Sequence, residues 1–159
     1  MLKKNWQRLV LAAVVVALGS LVAWHWFSQT EPAIKIAVGG QTLNVLLADT
    51  PARRWQGLSD RIDLGLYDGM LFIFPEPGYH TMVMRQMQFP LDFIWLREGR
   101  VVDIIEDAPL EPNISEDRLR RYSPRTPADM VLELSAGLAK RLNLKISDTV
   151  SQAGQSRAQ

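Results

Sequence analysis

Asp92 stands alone in an apolar stretch, FPLDFIWL, between Leu91 and Phe93. An unpartnered buried carboxylate is costly, so such a residue is hydrogen-bonded, ion-paired or placed at a cleft. Arg85 on the preceding segment is a candidate partner, which would make the two a ligand-orienting pair. The competing reading is a structural bond from Asp92 to backbone amides near Phe89-Pro90. His80, Met82 and Met84 occupy alternate positions and would share one face of a strand. An imidazole beside soft thioethers suits Cu(I), whereas methionine is also a gap-filler of cores. The reading adopted is that the domain holds no metal and needs no cofactor. Trp55, Trp95 and Tyr79 offer flat surfaces for a sugar ring or another planar group, or serve as core and rim packing.

Other chemistry is poorly supplied. The two histidines are His25, inside a hydrophobic run, and His80, and no serine sits in a nucleophile-elbow pattern. There is no cysteine, which excludes disulfides, thiolate nucleophiles, acylated lipoprotein cysteines and Cys-ligated zinc. A carboxylate pair of the hydrolase kind, Asp92 with Asp103 or Glu106, is allowed by counting but not favoured by spacing. Gly39-Gly40 is a hairpin turn and not a phosphate-binding loop. A net charge of +1, with Arg118, Arg120, Arg121 and Arg125 interleaved with Glu116 and Asp117, argues against nucleic acid as a partner.

These residues need a scaffold, and its outline is legible. Leu9 to Phe27 reads LVLAAVVVALGSLVAWHWF, without acidic residues, lysine or arginine. As a helix it spans roughly 28 Å, close to the ~30 Å hydrocarbon core. Lys3, Lys4 and Arg8 precede it, and Trp24 and Trp26 fall at its far boundary. The expectation is a single-pass anchor over 9–27 in the cytoplasmic (inner) membrane. Residues 1–8 stay in the cytoplasm and the remainder lies in the periplasm or outside. A cleaved signal peptide would need small residues where Trp24, Trp26 and Phe27 stand.

After a linker at 28–33, Ile34, Ile36 and Val38 alternate, turn at Gly39-Gly40 and continue into Leu43–Leu47 as a hairpin. Thr50-Pro51 starts a short helix over 51–56 that ends near Gly57. Further strands are expected at 70–74 (stopped by Pro75 and Pro77), 81–87, 91–96, 100–106, 130–134 and 146–150. The 107–127 stretch, with four prolines, is a surface connection. Ser135 caps a second short helix over 136–142. The tail at 151–159 is polar. The fold class expected is α+β: a compact, mostly antiparallel, partly closed barrel-like domain with two short helices.

The succession LADTPARRWQGLSDR, GMLFIFP, MRQMQFPLDFIWLREGRVVDI and VLELSAGLAKRLNLKISDTV resembles the DUF192 (UPF0127) family over residues 34–150. That resemblance implies a small β-rich α+β domain with no established activity. The family commonly has Met-Lys-Asn where this chain has Met84-Arg85-Gln86, a change of length and fork geometry with charge retained. Together these readings place a binding cleft around Met84, Arg85, Gln86 and Asp92, with Trp95 or Tyr79 nearby. The expected function is a membrane-anchored, non-catalytic ligand-binding or interaction module for a small polar or sugar-like ligand. A carboxylate-pair hydrolase and a copper-handling protein are the alternatives.

Overall fold

The computed structural model describes residues 31–154. The expected anchor at 9–27, the cytoplasmic 1–8 and the end of the tail lie outside them. Among the described residues, no helix is long and apolar enough to cross a membrane.

Strands β1 (Ala33–Val38) and β2 (Gln41–Ala48) form the expected hairpin, closed by the Val38–Gln41 pair. Both turn residues, Gly39 and Gly40, have positive φ, at 56° and 75°. A two-residue turn with this twist favours glycine because it has no Cβ to clash. From β2 the chain crosses through helix α1 (Pro51–Gln56) to β3 (Gly69–Gly78), which lies parallel to β2. A second hairpin, β4 (Leu91–Arg97) and β5 (Arg100–Ala108), turns at Glu98-Gly99. Strand β6 (Ala128–Ser135) then inserts between β3 and β4, antiparallel to both. Helix α2 (Leu138–Arg141) and a two-residue β7 (Ser151–Gln152) complete the fold. The sheet runs β5-β4-β6-β3-β2-β1-β7 and curls into a half-barrel.

Both faces of this sheet are covered. Leu46, Met70, Phe72, Phe93, Trp95 and Val131 face one cluster with Leu58, Met82, Met84 and Tyr122. Val45, Leu71, Ile94, Leu132 and Leu134 face the other, closed by Ala139, Leu142 and Leu144. Alternation along β6 therefore sends Val131 and Glu133 to the first face and Leu132 and Leu134 to the second.

Four local expectations are corrected. Residues 81–87 form no strand: Met82 makes one isolated bridge, to Tyr122, and Gln86 leaves extended conformation at φ 50°. The segment crosses one face of the sheet, where it has no strand edge to pair along. Strand β3 continues through Pro75 and Pro77, because the regular ladder to β6 ends at Ile73–Met130 and the prolines follow in the irregular stretch. Helix α2 is shorter than 136–142, and its N-cap residue is Gly137 without a side-chain cap of its own. The last strand is Ser151–Gln152 on β1 and not 146–150, which forms an isolated Arg100–Thr149 bridge and hydrogen bonds to Gly99 and Val101 without becoming a strand.

Candidate functional site

Helix α1 begins where Thr50 accepts a hydrogen bond from the Arg53 N–H at 3.3 Å, with Pro51 in the first turn. It is one wall of a cleft of about 640 Å³. Arg54 on this helix donates to the carbonyls of Asp49 and Ile73, both at 2.8 Å, and lies over the Phe74 ring. Next to it Trp55 is 67% exposed, and the Arg85 guanidinium covers its ring at 3.9 Å from the centroid.

Arg85 comes from the opposite wall and uses its whole fork. Nε and Nη2 grip both Glu116 oxygens at 2.6 and 2.8 Å, while Nη1 donates to the Trp55 carbonyl at 2.7 Å. That grip, chiefly its hydrogen bonds, holds the Glu116 carboxyl below its ordinary pKa. Ser59 donates to the Arg85 carbonyl at 2.9 Å and the Asp60 N–H to the Gln86 carbonyl at 3.0 Å. The 84–87 turn is thus tied to the turn that follows α1.

The floor holds a residue that the sequence reading passed over. Glu133, in the middle of β6, is 3% exposed and lines the cleft together with Phe72, Met82 and Leu58. Its strand neighbours are Met70 on β3 and Phe93 on β4, both apolar. Its Oε2 makes no hydrogen bond. Burial without a partner pushes this carboxyl up to about 8, so at neutral pH most of it is the neutral acid. A single acid inside VLEL carries the same signal that singled out Asp92 in LDFIWL.

The other candidates are dispersed. Asp92 is fully buried, and Arg85 is not its partner. One Asp92 oxygen accepts from the N–H of Asp107 at 2.9 Å and of Gly137 at 3.1 Å, the other from Ala139 at 2.9 Å. It ties β4 to the end of β5 and caps α2. The amides are real partners of the kind expected, but they lie on β5 and α2, away from Phe89-Pro90. Trp95 is buried and donates from Nε1 to the His80 carbonyl at 2.8 Å. Tyr79 is exposed and stands outside the cleft lining. Met84 packs in the core beside Met82, while the His80 ring stacks on Phe74 at 3.6 Å and donates from Nε2 to the Glu76 carbonyl. Among the described residues, no group of three His, Cys, Asp or Glu is placed to hold a metal. Of the hydrolase pair, Asp92 is held by amides and Asp103 by Arg125, whose Nη2 lies 2.6 Å away.

The sequence model of DUF192, described as "Uncharacterized ACR, COG1430", matches residues 34–152. The chain belongs to the DUF192 family. A solved structure from Sinorhizobium meliloti 1021, described as a "putative transcription regulator", is similar at 33% identity and a TM-score of 0.68. The match covers 78% of this chain and 96% of that one. A protein of unknown function from Novosphingobium aromaticivorans DSM 12444 is similar at 29% identity and a TM-score of 0.63, over 76% of this chain and 84% of that one. No curated protein matches the chain.

Proposed function

We propose that this DUF192 domain is a non-catalytic module that binds a small polar or sugar-like ligand. Residues 9–27 would hold it at the outer face of the cytoplasmic membrane. The observation that carries the binding reading is Glu133, a buried acid with an unbonded oxygen on the floor of an open cleft. Leaving a polar atom unpaired inside a protein costs about 1–3 kcal/mol. Such a group belongs at a site whose occupant completes its hydrogen bonds. Arg85 contributes to the wall, and its fork is consumed by Glu116 and Trp55, which rigidifies the mouth before anything binds. The second carboxylate of the cleft lining, Glu116, is locked to Arg85, so Glu133 has no free carboxylate partner there for chemistry of the hydrolase-pair kind.

The test is amide and side-chain NMR of the full-length chain against a panel of small metabolites. Shifts should concentrate at 54–59, 81–87, 116–121 and 133, and E133L should abolish them. Shifts confined to the surface around Asp92, or measured turnover of an ester or glycoside that E133Q removes, would overturn the reading. The membrane placement has its own test: the full chain should pellet with membranes and be digested by protease added outside spheroplasts, whereas deletion of 9–27 should release it.

A further inference from the structure

The charges around the cleft narrow the class of ligand, an inference that rests on the binding reading above. Five charged side chains line it: Arg54, Arg85, Arg121, Glu116 and Glu133. Arg85 and Glu116 cancel each other through their two-point contact. Glu133 is surrounded by Met70, Phe72 and Phe93 and carries no charge when protonated, as its burial requires at neutral pH. What remains is the positive charge of Arg54 and Arg121. Arg54 is positioned by two backbone carbonyls, which hold the guanidinium without neutralising it. Below this rim the walls are apolar, built from Phe72, Phe74, Met82 and Leu58.

We propose that the cleft binds a small organic anion, a monocarboxylate with an apolar body. Arg54 and Arg121 meet its charge at the rim, and its apolar body lies along Phe72, Phe74, Met82 and Leu58 below. An amine would face an excess of guanidinium over carboxylate charge, Arg54, Arg85 and Arg121 against Glu116, and would gain a further counter-charge only by ionising a carboxyl in apolar surroundings. A neutral sugar would leave the rim charge unused, and the Trp55 ring already has Arg85 stacked on one face. A carboxylate uses both guanidiniums, and its body uses the apolar walls.

Benzoate, benzyl alcohol and benzylamine share one body and differ in charge, so they serve as probes on the full-length chain in detergent micelles. In an NMR titration benzoate should bind at least about tenfold tighter than either of the others, the effect of one charge-assisted contact. R121Q, on an exposed side chain, should bring benzoate most of the way to the alcohol, and R54Q should add to it. E133Q fixes this side chain as neutral and should retain benzoate binding within about threefold. Benzylamine or benzyl alcohol binding in the cleft as tightly as benzoate would overturn this inference and leave the binding module standing. Benzoate affinity untouched by both R121Q and R54Q would do the same. No shift from any of the three probes up to about 20 mM, where a millimolar Kd would be visible, would overturn this inference, and none from the metabolite panel either would overturn the binding reading as well.

Discussion

Two isolated acids in apolar strands, Asp92 and Glu133, meet opposite fates. Asp92 accepts three backbone N–H groups, so its burial is fully compensated. Replacing it by Asn puts an amide donor against amide donors and should cost about 2–4 kcal/mol, read as a shift of the urea midpoint. Cleft binding by the Asn variant should be unchanged while it remains folded. Glu133 has no such compensation, and linkage gives its sign. Its folded pKa, about 8, lies above the ordinary 4.5. The unfolded chain therefore loses this proton first, and stability falls as pH rises from about 4.5 to about 8. The melting temperature should drop over that window, and E133Q should remove the drop. An identical pH profile for the two proteins would show that Glu133 ionises as freely in the native state as in the unfolded one. Asp103 works in the other direction. Burial pushes its carboxyl up, but the hydrogen bonds from Arg125 and Ile104 together with the Arg125 charge outweigh that and hold it below its ordinary value. Its contribution is present near neutral pH and is lost as acid protonates it. Asp92 was legible as a residue requiring an explanation, but its partners were not. They lie 15, 45 and 47 residues away, and only the three-dimensional fold brings them to it.

At the scale of elements, the parts set by local chemistry were readable. The Gly39-Gly40 hairpin, the Thr50-Pro51 helix start and the β4–β5 hairpin occur where turn and cap residues place them. Removing the Thr50 hydroxyl should cost about 1 kcal/mol by thermal melt, the ordinary value of such a cap. Elements that depend on distant neighbours were not readable. Residues 81–87 alternate like a strand, yet an extended segment becomes one only beside a free edge, and the edge strands of this sheet are β5 and β7. Helix α2 lacks a cap of its own because Asp92 on β4 supplies it. Gly69 shows the same dependence. At this first residue of β3 a Cβ would run into the Glu133 carbonyl and crowd Leu134. G69A should therefore separate β3 from β6 and cost more than about 3 kcal/mol, with loss of the cleft floor visible in the same NMR spectra. A neutral G69A melt would show that the two strands tolerate a wider spacing.

Across the whole molecule, an α+β sheet domain was expected and a mixed sheet curled into a half-barrel is found, its single parallel pair, β2 with β3, being the part the hairpin grammar did not show. The cleft is equally non-local. Its walls come from 51–59, 81–87 and 116–121, and its floor comes from β3 and β6. Strand β6 lies at the middle of the sheet but near the end of the chain. Until residues 128–135 arrive, β3 and β4 each present a bare row of amides and carbonyls with apolar side chains on both flanks. A chain emerging from the ribosome thus carries two sticky edges that only its own later keystone strand can seal. Fragments ending before Ala128 should accordingly aggregate through those edges, while a separately supplied 128–135 peptide should slot between them and restore solubility.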